Sequence, residues 1–345
     1  MKQKRDVRFI VLGAVILLFI AGCEGDDGGA ATGGVPRDPF LGGTRGLEIS
    51  FLDGLPPEEV TDGGTFDFQA FVSLKNNGEH EFTPPLSDIS GVQDIKVSLI
   101  GFAPSDFRSS DDDLTDQSPL NVPTARKRGS EGNIVEPTEV FIEFPTSDTF
   151  FSYNGELAGN TAFIFRAEVC YTYQTKAVSE ICVLENLINP ADDAICVPSE
   201  EKRVYSSSSP LQVTSFRQAI VGRDKIQFSF DIVHSGSGDV FALGGDASSC
   251  PKENRRRYED LVEVIVDTGL TSGDSSDLTC AGLDTTPLVY SRAGPVKLID
   301  GRRTITCTQN ILSYGNDFKK VVDITLIFNY LDNVDQEVLV KHLID

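Results

Sequence analysis

Apolar and polar residues alternate along most of this chain with a period of two. Phe66, Phe68, Ala70, Val72 and Leu74 fall on one face, with Asp67, Gln69 and Ser73 on the other. Phe163, Phe165, Ala167, Val169, Tyr171 and Tyr173 repeat the pattern, and so do Val322, Ile324, Leu326, Phe328 and Tyr330. Successive side chains of a strand point to opposite faces, so this spacing predicts strands with one buried and one wet face. No stretch of comparable length keeps a helical period. Turn-forming pairs punctuate the strands at Asn76-Asn77-Gly78, Asn154-Gly155 and Asp300-Gly301, of which the last two predict hairpins. The expected class is all-β.

The pattern also repeats. Leu47-Glu48-Ile49-Ser50 matches Leu211-Gln212-Val213-Thr214, and the strand ending at Asn77-Gly78 matches Ile226, Phe228, Phe230 and Ile232 ending at Ser235-Gly236. Ile95–Leu99 matches Leu261–Ile265, and Phe163–Tyr173 matches Val322–Tyr330. Each of the last two is followed by a short apolar strand, Ile181–Leu184 or Val338–Val340. The offsets cluster near 160 residues in preserved order, which predicts two consecutive sandwiches, 47–185 and 211–345. A long loop, 105–135, interrupts the first, and 186–210, containing Ser206–Ser209, reads as the linker between them.

The strand order within each copy is that of an immunoglobulin-like sandwich. The long alternating strand ending in Asn-Gly, followed by a late hairpin, resembles the CARDB-like subgroup of prokaryotic surface proteins. The run Phe165–Thr175, with Cys170 inside it and Cys182 after it, looks like a segment of envelope proteins from archaeal genomes. Neither resemblance brings an activity with it.

The N-terminus changes this picture by fixing a location. Lys2, Lys4, Arg5 and Arg8 precede an unbroken apolar run from Phe9 to Ala21, and Ile20-Ala21-Gly22-Cys23 closes it. Basic, apolar and small residues in that order describe an export signal. From Phe9 to Gly22 there are fourteen residues, where a membrane-crossing helix needs about twenty. The segment resembles the lipobox of prokaryotic lipoproteins. The resemblance implies cleavage after residue 22, lipidation of Cys23 and anchoring to a membrane. Residues 23–46 are rich in Gly and Asp and read as a flexible tether.

Seven cysteines is an odd number for an exported chain. Assigning Cys23 to lipid leaves six, three per half: Cys170, Cys182 and Cys196, then Cys250, Cys280 and Cys307. Export favours disulfides. Three per half is odd, so complete pairing within one molecule requires an odd number of bridges between the halves. Cys170 and Cys182 read as lying on adjacent strands, where they either bridge directly or leave Cys182 to close a loop with Cys196. The competing pattern is one free cysteine per half, or bridges to a second molecule. A zinc site is not expected, because no CxxC pair and no neighbouring histidine exist.

Charge excludes one class of partner. The chain carries 30 basic and 52 acidic residues. Without residues 1–22, which hold four basic residues and Asp6, 26 basic face 51 acidic, a net charge of about −25. Such a surface repels phosphate backbones, so nucleic acid is not an expected partner. Asp111, Asp112 and Asp113 are weak calcium candidates, without the spaced DxDxDG pattern of an EF-hand; a disordered acidic loop is the plainer reading. Ser248–Tyr258 reads as a second loop interrupting the sandwiches. Arg126-Lys127-Arg128 and Arg255-Arg256-Arg257 mark nicking sites or partner the surrounding acids. Ser237 lies near His234 but lacks the GxSxG order, and a turn is the expected role. The other histidines, His80 and His342, read as lying on a turn and close to the C-terminus. No Trp is present to stack on a sugar, leaving Tyr153, Tyr205 and Tyr290. No catalytic residues and no cofactor are expected. The expectation is a non-catalytic interaction, adhesion or architectural module of the cell envelope, held to the membrane by lipid and meeting an envelope or surface protein. The alternative is an extracytoplasmic subunit that binds a sugar, peptide or metal ion, although no alternating β/α pattern builds a two-lobed cleft.

Overall fold

The alternating segments form strands, and the computed structural model is all-β. It describes residues 38–82, 95–146, 149–243, 250–251, 255–270, 278–283, 291–311 and 315–343. Cys23, the signal segment and Tyr290 lie outside these residues. In the first half the strands are β1 (Leu47–Phe51), β2 (Glu59–Thr61), β3 (Ala70–Asn76) and β4 (Ile95–Ile100). They are followed by β5 (Lys127–Arg128), β6 (Ile134–Val135), β7 (Glu139–Phe144) and β8 (Thr161–Val183). Two short strands come next, β9 (Glu201–Lys202) and β10 (Tyr205–Ser206). The second half holds β11 (Leu211–Ile220), β12 (Lys225–His234), β13 (Asp239–Phe241) and β14 (Leu261–Asp267). It closes with β15 (Leu278–Ala281), β16 (Ser291–Lys297), β17 (Arg302–Asn310) and β18 (Phe318–Lys341).

The two halves use the same three-strand unit. In the first, β3 lies between β1 and β7; in the second, β12 lies between β11 and β17, with β9 and β15 added at the edges. The faces that the alternation marks as apolar are the buried ones. Ala70, Val72 and Leu74 of β3, and Ile226, Phe228, Phe230 and Ile232 of β12, are all at most 1% exposed. Phe68 crosses to the opposing sheet and meets Phe165 of β8, ring centres 5.9 Å apart. Phe66, on the same alternating face, lies beyond the strand and is exposed.

The opposing layer is one sheet shared by both halves. Its centre is the antiparallel pair β8–β18, which runs without a break from Thr161↔Val340 to Val183↔Phe318. At about 3.3 Å per residue, this 23-residue ribbon is roughly 75 Å long. The first part of β8 pairs with β4, and the first part of β18 pairs with β14. Each strand then continues into the other half's sheet, where β10 joins the end of β8 and β2 the end of β18. Thr172 faces Asn329 at the crossing, and the Thr172 hydroxyl donates to Asn329 Oδ1 at 2.8 Å.

This arrangement corrects several expectations. Ile181–Leu184 and Val338–Val340 are not separate short strands; they continue β8 and β18, Leu184 lying one residue past the end of β8. Cys170 and Cys182 accordingly stand on one strand. A strand that passes from one half of the shared sheet to the other changes its surroundings without ending. The Asp300-Gly301 turn is tight, with φ of 50° and 71° and reciprocal bonds between Ile299 and Arg302. It does not close a hairpin within one sheet, because β16 pairs with β14 while β17 pairs with β12 and β15. Asn154-Gly155 forms no hairpin either. Asn154 Oδ1 accepts from Arg108, and the Gly155 carbonyl accepts the Gly63 N–H in a packed loop.

The 186–210 segment ends in a docked tract. Ser207, Ser208 and Ser209 are at most 4% exposed. Residues 38–46, at the end of the segment read as a tether, pack beside it: Glu79 accepts the N–H groups of Leu41, Gly42 and Ser208 on one carboxylate.

Candidate binding cleft at the seam of the two halves

Two matching corners bracket the seam. Where β3 ends, Gly78 lies against the hydroxyl of Tyr173; where β12 ends, Gly236 lies against the hydroxyl of Tyr330. A Cβ at either glycine would sit 1.8 or 2.1 Å from that oxygen, so only glycine fits. Two residues on, the N–H of His80 donates to Tyr173 Oη at 3.5 Å and the N–H of Gly238 to Tyr330 Oη at 2.8 Å. Tyr173 also reaches Asn76 Oδ1 at 3.4 Å, and Tyr330 pairs with His234 Nε2 at 3.1 Å. Burial pushes both phenols above their usual range, so both remain protonated, and burial likewise lowers the imidazole of His234. Sequence alternation marks these tyrosines as core. It does not reveal that their hydroxyls are pinned to a turn far away along the chain.

Beside the first corner, where the Tyr173 hydroxyl lies 3.3 Å from the Ser208 carbonyl, residues 205–209 fill the space between β11 and the end of β8. Tyr205 and Ser206 pair with Val178 and Ala177. Ser207 exchanges bonds with Lys176: its N–H donates to the Lys176 carbonyl at 2.8 Å, and its hydroxyl accepts the Lys176 N–H at 2.9 Å. From β11, Gln212 Nε2 donates to the Ser207 carbonyl at 3.0 Å and the Val213 N–H to the Ser206 hydroxyl at 3.4 Å. Thr175 donates to Ser209 Oγ or the Leu211 carbonyl, at 2.7 and 2.9 Å. Ser208 donates its N–H to Glu79 and its hydroxyl to the Arg45 carbonyl at 2.9 Å, so every serine of the tract is held.

At the corresponding place in the first half, between β1 and the end of β18, there is a cavity of about 400 Å³. Leu47, Glu48 and Ile49 form one wall, Asp332, Asn333 and Val334 the other, and Tyr171, Tyr330, Ser237 and Arg45 complete it. Tyr171 is fully buried; the Leu47 N–H faces its oxygen, and among the described residues no acceptor takes its proton. Burial also raises the Asp332 carboxyl, opposed by bonds from the Asn333 N–H and the Ser237 hydroxyl. Two further cavities flank the N-terminal segment. One, of about 660 Å³, is lined by Arg45, Lys75, Arg126, Glu48 and Glu136 among others. The other, of about 320 Å³, lies between Asp38–Gly42 and Arg203–Thr214.

The six cysteines after Cys23 form three disulfides. Cys182–Cys196 ties the end of β8 to the segment after it and Cys280–Cys307 joins β15 to β17, while Cys170–Cys250 joins the first half of the sequence to the second. Asp111, Asp112 and Asp113 stand on a one-turn helix, Asp111–Leu114, where Ser110 donates to Asp113. Among the described residues, no group of three or more His, Cys, Asp or Glu side chains is placed to hold a metal ion. The basic triplets meet acids: Arg126 pairs with Glu136, Lys127 with Glu81, and Arg255 with Asp239 and Glu259. Ser237 lies in the turn after β12, as expected, and lines the cavity; the ring of His234 beside it is bonded to Tyr330. His80 packs edge-on against Tyr173 and Phe82, and His342 pairs with Asp62. Tyr153 is buried, and the guanidinium of Arg203 covers the ring of Tyr205 at 4.6 Å. No protein-family model matches the chain, and no similar sequence is found among curated proteins.

Proposed function

We propose that this chain is a lipid-anchored protein of the cell envelope, whose all-β body works outside the cytoplasm as a non-catalytic interaction module. The lipobox-like segment ending at Cys23 supports the anchor, and the three disulfides suit an oxidising compartment. The observation that carries the interaction reading is the seam. It is a cleft walled by two strands that, among the described residues, each lack a partner on one edge, on a body cross-linked between its halves. The partner is an envelope or surface protein, and the strongly acidic surface disfavours nucleic acid.

A second reading, binding of a small ligand for a membrane complex, draws on the same cleft, where Tyr171 and Tyr330 lie beside the carboxylates of Glu48 and Asp332. Mass spectrometry of chemically cross-linked protein extracted from membranes without reductant tests both. The expected result is an acylated N-terminal Cys23, three disulfides and a cross-linked protein neighbour. A chain that starts at Met1, unlipidated and with reduced thiols, overturns the proposal. A small molecule co-purifying in the cleft without any protein neighbour favours the second reading.

A further inference from the structure

The two sides of the seam correspond residue for residue. Adding 164 to the β1 positions Leu47, Glu48 and Ile49 gives Leu211, Gln212 and Val213 of β11. Subtracting 157, the offset that relates Thr172 to Asn329, from Asp332, Asn333 and Val334 gives Thr175, Lys176 and Ala177 of β8. Those six counterparts are the residues that hold or adjoin the 205–209 tract in the second half. The same framework that grips a strand on one side therefore surrounds the cavity on the other.

The backbone of this cavity is prepared for a strand as well. Among the described residues, β1 is paired only with β3, and β18 between Asp332 and Val334 is paired only with β8. Both present their other edge toward the cleft, and an unpaired edge is a template for strand addition. The two sides differ at Tyr171, whose counterpart is Phe328. The additional hydroxyl is buried at the cleft without an acceptor, which is costly unless an incoming carbonyl supplies one.

We propose that the cleft between β1 and β18 binds an extended peptide segment of a partner protein as an added strand, as Tyr205–Ser208 is bound in the equivalent place. Small polar side chains suit it, since the tract that fills its counterpart is serine-rich and backbone groups make most of the contacts. This deepens the interaction-module reading and rests on it.

The test uses the mature chain from Cys23 and a capped synthetic peptide of the Arg203–Ser209 sequence at millimolar concentration, read by amide hydrogen exchange. The expected result is exchange slowed by about tenfold or more within 45–50 and 331–335. Tyr171→Phe, which copies Phe328, is expected to fold normally and weaken binding by roughly 2- to 12-fold, the equivalent of one net hydrogen bond. Ser237→Phe, an exposed position at the mouth, is expected to block it. Three results overturn the inference: no protection at these edges, protection only within 175–178 and 211–213, and edges already protected before peptide is added. If the peptide fails while cross-linking still finds a protein neighbour elsewhere, only the cleft is excluded. If neither is found, the interaction reading falls too.

Discussion

Gly78 and Gly236 show how a single missing methyl group fixes a corner of the molecule. At Gly236 a Cβ meets the Tyr330 hydroxyl first and then Pro210 Cβ at 2.9 Å, whereas at Gly78 the backbone oxygens of Arg45 and Ser208 also lie at 2.8 Å. Gly236→Ala is therefore expected to cost about 1–3 kcal/mol, with part of the loss recovered by adding Tyr330→Phe. Gly78→Ala is expected to cost at least as much and to recover little with Tyr173→Phe, because the backbone cannot step aside. Denaturant midpoints of the four variants check this. Asp62 acts by charge instead. It is nearly inaccessible, and it accepts the N–H groups of Leu343 and Leu157, each at 3.0 Å, and His342 Nδ1 at 2.8 Å. The Leu343 N–H, then the Leu157 N–H and His342, lower its pKa from 3.8 to about 2. A carboxyl depressed in the folded state stabilises fully above its unfolded pKa and loses that contribution as pH falls through the folded one. Melting temperature should thus fall between about pH 4 and pH 2. Asp62→Asn should lower it at neutral pH and flatten that fall. An unchanged acid limb in the variant would remove Asp62 from the account.

At the scale of elements, disulfides and strands divide the work. Cys280 and Cys307 cross-link directly opposed residues of β15 and β17. Cys182–Cys196 closes a separation of 14 residues and Cys170–Cys250 one of 80. In the chain-entropy account, the longer closure stabilises by about 1.5 kcal/mol more. Replacing Cys170 and Cys250 with alanine should accordingly lower stability more than the same change at Cys182 and Cys196, as read from unfolding midpoints without reductant. Much of this level is legible in the sequence. Alternation gives the buried faces of β3, β8, β12 and β18. The count of three cysteines per half requires an odd number of bridges between the halves, and Cys170–Cys250 is such a bridge. What alternation cannot carry is which strand lies alongside. A period of two reports the face that each side chain points to, while pairing is made by backbone groups common to all residues. For that reason β8 and β18 read as interrupted strands, and the cleft, whose walls are strand edges, leaves no mark in the pattern. The serine tract misleads for a related reason: its composition suits a solvated segment, yet its hydroxyls and N–H groups are satisfied by Lys176, Thr175, Glu79 and the Arg45 carbonyl.

For the molecule as a whole, the exchange of strand ends ties the fate of one half to the other. The end of β18 pairs with the beginning of β8, and the end of β8 pairs with the beginning of β18. Cutting the chain after Ser199, in an exposed stretch that leaves Cys182–Cys196 intact, would give one fragment that ends at Ser199 and another, 200–345. The first would lose the strand that covers β8, with Leu326, Phe328 and Tyr330 taken from its surroundings. The second would expose the matching edge of β18. Long, half-apolar unpaired edges of this kind do not persist as monomers. Each fragment alone is expected to aggregate or to lack a cooperative unfolding transition. An equimolar mixture refolded under oxidising conditions is expected to give a one-to-one complex by size exclusion. The specific readout is the Cys170–Cys250 bridge, now between two chains and visible as a single cross-linked band without reductant. Two fragments that each unfold cooperatively as monomers, and do not form that band when mixed, would show that the sandwiches stand independently and that the shared ribbon contributes little. The expected band would instead place the stability of the body in the β8–β18 pair, on which the rigidity of the cleft at its centre depends.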